Sequence, residues 1–436
     1  MERALGGMER GVWRVDQAGP LNFVAVAAYR GTLAPAELRA ALAGLQARHP
    51  VLRARIVPDA AGKPAHWTAV GVPAIPLREE TRRDDAHWVA ELTAELNRPL
   101  PWRTGPLVRM VHLRGDTGGE LLAAFHHAAA DGESGVTFLR HVLALAARPD
   151  PAPPPSLPMR PALEAQLPRR THGLPGWLRA AGMVLRQLPR LSGLGRMPVA
   201  VWAPPHERRT GVIPLTLDAA VTAALVARCR TEGTSVHGAL AAAFLQAAAN
   251  VILAAGGRRP ARLGVVSPVS LRAALEPPVS GDECGLFVSA VTVLPSLAQV
   301  TGAFWPLARA VKTELAAALR RDEPALAVRL QNLALAGTGD PERLALKAER
   351  LFPAAVGITN LGRLGDVPET FGEVTLERLH FSAALNALAG AGLGVAVTTY
   401  AGRLQLNVAH AEPLLPAARA RAMADDALAR LRAALA

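Results

Sequence analysis

The sequence predicts an α/β protein with mixed sheets, built from two similar halves. Strand-like and helix-like segments alternate along both halves of the 436 residues. A proline-rich stretch beginning at residue 148 separates the halves and is unsuited to regular structure. A strand followed by a helix from residue 212 weakly repeats the pattern of residues 24–45. We therefore divide the chain into an N-terminal lobe (1–147), a linker (148–208) and a C-terminal lobe (209–436).

The first half is predicted to contain strands joined by helices. Residues 32–48 predict a helix, because leucines recur at helical spacing after Pro35 in the first turn. A charged stretch at 79–97 predicts a second helix, and a third runs from about Ser134 to residue 147. The predicted strands are 22–30, 49–57, 66–70, 107–115 and 120–127, the last two joined by a turn at 116–119.

The second half begins with a strand and a helix over 212–229, for which Asp218 is the predicted N-cap. An uncharged, alanine-rich segment at 235–255 predicts a buried helix rather than a membrane span. The further predicted helices are 299–320 and 416–435, and the predicted strands are 263–271, 285–294, 355–361, 373–383, 393–400 and 404–410.

One segment of the linker, residues 174–195, is apolar with arginines interspersed. Two interpretations fit this composition. The segment either packs on the protein as part of the linker, which we favour, or forms a short amphipathic helix that contacts a lipid surface.

The chain is strongly basic, with a net charge of +12 and a sequence pI of about 11.0. Arginine supplies 45 of the 48 basic residues. These arginines are scattered, and aromatic residues make up only 4%, whereas nucleic-acid-binding proteins cluster their basic residues among aromatics. The pattern argues against nucleic acid and favours solvated faces, with a positive entrance for an anionic substrate as the alternative.

Cysteine usage and the N-terminus bear on location. Cys229 and Cys284 form no disulfide framework or metal set, so we expect two buried thiols. Residues 1–10 contain no apolar run of the secretory kind. We expect a cytoplasmic monomer.

One motif concentrates chemistry: residues 125–135, Phe-His-His-Ala-Ala-Ala-Asp-Gly-Glu-Ser-Gly. Neighbouring residues on a strand point to opposite faces, so one histidine packs inside while the other faces a cleft. Imidazole is suited to general-base catalysis at neutral pH. Asp131 either orients a ring nitrogen or pairs with an arginine to fix the loop. Gly132 permits unusual dihedral angles and offers a backbone N–H near a helix N-terminus for an oxyanion.

This motif admits other interpretations. A metal site is disfavoured because no third ligand has convincing spacing, and a purely structural histidine pair remains open. Ser134 lacks the Gly-x-Ser-x-Gly context of a nucleophile and is more typical of a helix cap. The sequence contains no phosphate-binding or dinucleotide fingerprint.

The string HHAAADG resembles the HHxxxDG signature of the acyltransferase superfamily that includes chloramphenicol acetyltransferase, condensation domains, wax ester synthases and polyketide-associated acyltransferases. Three further segments are similar to this superfamily: RHPVLRARI at 48–56, SPVSLRAAL at 267–275 and VGITNLGRL at 356–364. The last segment favours the polyketide-associated and alcohol acyltransferase branch. The resemblance spans the chain from about residue 10 to its end.

The resemblance implies a role for each motif residue. His127 would be the general base, and His126 would be structural. Asp131 would pair with Arg272 to hold the loop, and Gly132 would let the chain turn and expose its N–H. Asn360, and with it Ser134, would line the substrate channel.

The resemblance also implies a fold and an activity. Two chloramphenicol-acetyltransferase-like lobes would form a V around a central channel. The enzyme would transfer an acyl group from acyl-CoA or an acyl carrier protein to an alcohol, in lipid or natural-product biosynthesis, with no bound cofactor. The alternatives are a free-standing condensation enzyme that forms an amide, a wax ester or diacylglycerol synthase, and a non-catalytic docking module.

Overall fold

The computed structural model describes residues 2–58, 65–147, 155–335, 339–351, 354–388, 390 and 392–436, so the first part of the predicted linker, 148–154, lies outside the described residues. The strands are β1 Glu2–Ala4, β2 Asn22–Arg30, β3 Arg55–Val57, β4 His66–Thr68, β5 Leu77–Thr81, β6 Val108–Arg114, β7 Gly118–His126, β8 Arg209–Leu217, β9 Val265–Ser270, β10 Val288–Val293, β11 Val356–Arg363, β12 Thr370–Phe371, β13 Val374–Ala383, β14 Leu393–Tyr400 and β15 Arg403–Glu412.

The helices are α1 Gly7–Asp16, α2 Pro35–Arg48, α3 His87–Asn97, α4 Gly132–Ala146, α5 Gly173–Gln187, α6 Ala219–Thr231, α7 Val236–Ala254, α8 Leu297–Val300, α9 Phe304–Arg320, α10 Glu323–Leu335, α11 Pro341–Leu351 and α12 Ala417–Leu435. Asp131, Asp218 and Ser235 each cap the helix that follows them by accepting a backbone N–H three residues ahead. The N-cap predicted at Asp218 is therefore confirmed.

The first sheet has the strand order β12-β13-β2-β7-β6-β5, with only β5 and β6 parallel. Side chains of β2 alternate between its two faces, as the pleat requires. Phe23 and Ala25 join the core under α2 and α4, whereas Val24 and Val26 join a second core with Trp88 of α3. The sheet is buried on both faces.

The second sheet has the order β10-β9-β11-β14-β15-β8, and β11 runs parallel to both of its neighbours. Helix α7 packs between α9 and α12 over this sheet, and its alanines allow close approach. Among the described residues, α7 is the one helix long and apolar enough to cross a membrane. Its burial in this core accounts for its composition.

The sheets do not follow the predicted lobe boundaries throughout. Strands β12 and β13 come from the segment assigned to the C-terminal lobe, yet β13 pairs antiparallel with β2 of the first sheet. In register, Ser382 lies opposite Val24 and Phe381 opposite Ala25. The two halves therefore share a sheet as well as an interface.

Two local predictions were wrong, and three helices were missed. Residues 50–53 form a 3-10 helix, because Pro50 has no N–H to donate to a strand, and only Arg55–Val57 is extended. Residues Leu77–Thr81 form a strand that pairs with β6, so the helix predicted from residue 79 begins only at His87. Helices α1, α10 and α11 were not predicted.

Candidate active site

The two histidines of the motif lie at the end of β7, a central strand of the first sheet, and have different surroundings. His126 is fully buried. Its Nδ1 accepts the N–H of Ala128 at 3.1 Å, and its Nε2 lies 3.2 Å from the Asp16 carboxylate. Because Nδ1 is engaged by the loop backbone and Nε2 is enclosed beside a buried carboxylate, His126 supports the loop and is not exposed to a substrate.

His127 presents one free ring nitrogen. Its Nδ1 lies 3.0 Å from the carbonyl oxygen of Ala130. A carbonyl only accepts hydrogen bonds, so Nδ1 carries the proton and Nε2 holds the lone pair. No described residue hydrogen-bonds to Nε2. The ring stands beside Phe23, with centroids 5.3 Å apart, and burial lowers the pKa of His127 below the ordinary imidazole value. His127 is therefore neutral at pH 7, as a general base must be.

Asp131 does not touch His127 and instead joins α4 to the second half of the chain. Its Oδ1 accepts from Arg272 Nη2 at 3.0 Å and from the N–H of Ser134 at 2.9 Å, while its Oδ2 accepts the N–H of Phe287 at 2.9 Å. Arg272 is itself buried, and its guanidinium stacks 4.7 Å above the Phe287 ring. The ion pair implied by the resemblance is present, and it fixes the start of α4 against the loop before β10.

Ser134 belongs to this buried network and not to a channel. Its hydroxyl lies 2.7 Å from Asp131 Oδ1 and accepts from Arg272 Nη2 at 2.8 Å and from the N–H of Gly285 at 3.1 Å. The residue has no exposed surface. The expectation that Ser134 lines the substrate channel is therefore wrong, because its hydroxyl is saturated by protein groups.

Gly132 lines the cavity beside His127, but for a reason the sequence did not suggest. Its φ is not positive, so it needs no unusual dihedral angle. As the first residue of α4, its N–H has no partner within the helix. A Cβ here would lie 3.3 Å from the ring of Phe381 and 3.4 Å from a methyl group of Leu361. Glycine thus keeps the cavity open above the helix N-terminus.

A cavity of about 330 Å³ lies between the two sheets and reaches His127. Its walls come from α1, β9, β10, α10, β11, β13 and β14, so both halves of the chain build it. Apolar and small side chains dominate the lining, for example Val15, Phe23, Val266, Ala290, Phe381 and Val395. This cavity accepts a largely apolar molecule.

Two residues of the lining carry an unpaired polar atom. Gln331 Oε1 and Ser382 Oγ are buried and have no hydrogen-bond partner within the described parts of the chain. Leaving such a group unpaired costs about 1–3 kcal/mol. Neither atom has exposed surface of its own, so the surface of the cavity stays mainly apolar.

Asn360 does not line this cavity. Its Oδ1 accepts the N–H of Gly362 at 2.8 Å and forms a local turn, while its strand neighbours Gly357 and Thr359 reach the cavity. The expectation for Asn360 was wrong because Asn360 pairs in regular register with Val397, and the alternation of the strand turns it to the face opposite to that of Gly357 and Thr359.

One cluster of metal-ligand types, Glu80, His87 and Glu91, lies elsewhere on the N-terminal half. Arg78 forms ion pairs with both of its carboxylates. Because the Arg78 guanidinium pairs with both the Glu80 and the Glu91 carboxylates, we interpret the cluster as an ion-pair network at the edge of the first sheet.

Three family models match overlapping parts of the chain. Residues 14–157 match the condensation domain, and residues 114–242 match the wax ester synthase/diacylglycerol acyltransferase catalytic domain. Residues 206–409 match the C-terminus of phthiocerol/phthiodiolone dimycocerosyl transferase. A comparison with curated protein sequences gave no match.

Solved structures share the whole fold at low sequence identity. The trichothecene 15-O-acetyltransferase TRI3 of Fusarium sporotrichioides is 13% identical with a TM-score of 0.76, covering 99% of this chain and 95% of its own. The condensation domain of the monacolin K polyketide synthase MokA is 13% identical with a TM-score of 0.72, covering 99% and 96%. Polyketide synthase associated protein 5 of Mycobacterium tuberculosis is 19% identical with a TM-score of 0.66, covering 99% and 97%. The predicted two-lobed α/β fold is confirmed.

Proposed function

The chain belongs to the acyltransferase superfamily of chloramphenicol acetyltransferase-like enzymes and condensation domains, and we propose that it transfers an acyl group from a thioester donor to an alcohol. The observation that carries this proposal is the free Nε2 of His127 beside an apolar cavity. A neutral imidazole held in one tautomer is the group that activation of a hydroxyl requires.

In the proposed reaction, His127 Nε2 takes the proton of the acceptor hydroxyl while the oxygen of that hydroxyl attacks the carbonyl carbon of the thioester. A C–O bond forms, and the carbonyl electrons move onto an oxyanion. We assign stabilisation of that charge to the N–H of Gly132, in the first turn of α4, because this group has no partner within the helix and Gly132 lines the cavity. The C–S bond then breaks, the thiolate receives the proton from His127, and an ester remains.

The lining supports a mainly apolar acceptor or acyl chain. Most of the residues that surround the cavity are apolar or small. A lipid-like or polyketide-like substrate suits such a lining. Lipid or natural-product biosynthesis is the setting we propose.

For the donor we propose acyl-CoA or an acyl group on the phosphopantetheine arm of a carrier protein. Both are anionic, and the protein carries a net charge of +12. At 0.1 M ionic strength, salt screens the attraction between the donor and the protein at separations beyond about 10 Å. The apparent affinity for the donor should therefore weaken as salt is added.

The match of residues 14–157 to the condensation domain favours one second candidate, amide formation with an amine acceptor. The proton transfer would be the same, with an amine in place of the hydroxyl. Product analysis separates the two reactions.

The test is to incubate the purified protein with acyl-CoA and carrier-bound donors, each with alcohols and with amines, and to follow free thiol and product mass. We expect thiol release coupled to an ester, and a loss of about 10²–10⁴-fold in His127→Ala. His206→Ala, at an exposed site, is the matched control. Amide products would select the second candidate, and no turnover with any donor would favour a docking module.

A further inference from the structure

Exposed apolar surface is concentrated in one segment of the chain. Thirteen large apolar side chains are exposed in the described part, and ten of them lie between Leu174 and Trp202. Single exposed apolar residues are ordinary, whereas a concentration of this kind marks an interaction site. This segment comprises α5, the 3-10 helix Leu188–Leu191 and the chain that follows to Trp202.

Helix α5 has the reverse of the usual amphipathic arrangement. Its packed side is made of the small residues Gly176 and Ala180, and it contacts α10. Its outward side carries Leu174, Trp177, Leu178 and Leu185, and Leu188, the residue that directly follows the helix, continues this side. At about 100° per residue these five fall within an arc of about 100°. We call this surface the apolar face of α5.

Arginines flank the apolar face of α5. Between Arg169 and Trp202 the chain contains six arginines and no acidic residue. Five of them lie within 4 Å of a carboxylate on a neighbouring element, and these are Arg169, Arg170, Arg179, Arg186 and Arg190. Arg196 is exposed and has no ion pair with a described residue. Six arginines therefore face four carboxylates, those of Glu276, Glu314, Asp322 and Glu323, and the flank of the apolar face keeps a small positive excess.

This face lies one helix away from the cavity. The guanidinium of Arg329, on α10, lies 5.2 Å from the ring of Trp177. Two and three residues further along α10, Gln331 and Asn332 line the cavity. Helix α10 therefore separates α5, and any surface bound to α5, from the cavity.

We propose that the apolar face of α5 binds the surface of an anionic phospholipid bilayer. Leucines, a tryptophan and flanking arginines are the composition by which helices lie in a membrane interface, where the arginines meet lipid phosphates. A second copy of the chain fits less well. A two-fold contact through this face would bring two acid-free, arginine-rich segments together. The packed-linker interpretation explains Gly176 and Ala180 but not the outward leucines.

The test is co-sedimentation of the full-length protein with vesicles of phosphatidylcholine alone, or mixed in equal parts with phosphatidylglycerol. We expect binding to the mixed vesicles that weakens with salt. Leu178→Glu/Leu185→Glu should weaken it by about tenfold or more, because two apolar groups leave the lipid. Both side chains are mostly exposed, at 65% and 71%, so the thermal midpoint should stay within a few degrees of the parent. Val70→Glu, at a site 66% exposed elsewhere, is the matched control and should bind normally.

A second variant separates charge from apolar contact. Arg169→Gln/Arg196→Gln should lose part of the preference for anionic vesicles and keep the salt-insensitive part. The proposal is overturned if the parent does not sediment with mixed vesicles, or if Leu178→Glu/Leu185→Glu binds as the parent does. A different outcome would assign the face to self-association: the parent is a dimer that does not bind vesicles, and Leu178→Glu/Leu185→Glu converts it to a monomer.

Discussion

Arg272 Nη2 lies 3.0 Å from Asp131 Oδ1, although the two residues are 141 positions apart in the chain. Asp131 caps α4 under the first sheet, and Arg272 follows β9 of the second. The pair therefore ties the loop that carries His127 to the other half of the molecule. Both side chains are buried, so their charges are stabilised by each other and by protein groups rather than by water.

The first prediction concerns this pair. Arg272→Ala should lower the free energy of unfolding by about 3–5 kcal/mol, because it leaves the Asp131 carboxylate buried without its cation. It should also slow acyl transfer, since the loop that orients His127 loses its anchor. Urea unfolding and the rate of thiol release measure the two effects.

A surface pair provides the control for that experiment. Arg30 and Glu377 lie 2.7 Å apart, with Arg30 mostly exposed, so Arg30→Ala should cost only about 0–1 kcal/mol. If Arg272→Ala and Arg30→Ala unfold at the same urea concentration, the buried pair does not stabilise the fold as argued.

The sequence located the site well wherever the information was local. The strand that ends in His126 and His127, the loop and the start of α4 were all predicted, because period-2 and helical patterns change at that point. The partnership of Asp131 with Arg272 came only from resemblance, since no local pattern links positions so far apart. The pairing of β13 with β2 could not be predicted for the same reason.

The errors at single residues also have physical causes. Ser134 was expected at the channel, but a hydroxyl at the third position of α4 points to its own N-cap, Asp131, and is saturated there. Gly132 was expected to need an unusual φ, whereas the close approach of Phe381 explains the glycine. The segment expected to pack on the protein does so through Gly176 and Ala180 of α5, but the sequence did not indicate that the leucines of this helix face outward.

The second prediction is the pH dependence of the reaction. Burial lowers the pKa of His127, and the base works in its neutral form. Lowering the pKa moves the acid limb of kcat/KM to below about pH 6.5, the ordinary imidazole value. We expect kcat/KM to reach half of its plateau value at a pH below about 6.5. A half-maximal pH above about 6.5 with a non-ionising alcohol would contradict the assignment.

The third prediction is acid destabilisation by buried histidines. Burial lowers the pKa of His49 and His380 to about 3, and that of His112 and His237 to about 4. Between their folded values and about 6.5, the unfolded chain binds protons that the folded chain does not. The free energy of unfolding therefore falls as pH drops through this window, by up to about 1.4 kcal/mol per pH unit for each histidine.

His380 offers a sharp test of that effect. Its ring packs on Trp88 with centroids 4.6 Å apart, so His380→Phe keeps an aromatic ring at the site. Urea unfolding at pH 7 and pH 5 should show a smaller acid loss in His380→Phe than in the parent. The same replacement at the exposed His206 should leave the acid loss unchanged. An equal acid loss in all three proteins would show that His380 is not the group that titrates.

The fourth prediction concerns the size of the substrate. Ala290 lines the cavity from β10, opposite Pro268 in the strand pairing. Ala290→Phe fills apolar space between the sheets, so kcat/KM for a long-chain substrate should fall by about tenfold or more relative to a short-chain one. Ala298→Phe, on the exposed surface of α8, is the matched control and should change neither value. If Ala290→Phe lowers kcat/KM equally for the long-chain and the short-chain substrate while the thermal midpoint is unchanged, the cavity does not bind the long chain of the substrate. The acyl or alcohol group would then have to reach His127 by another path.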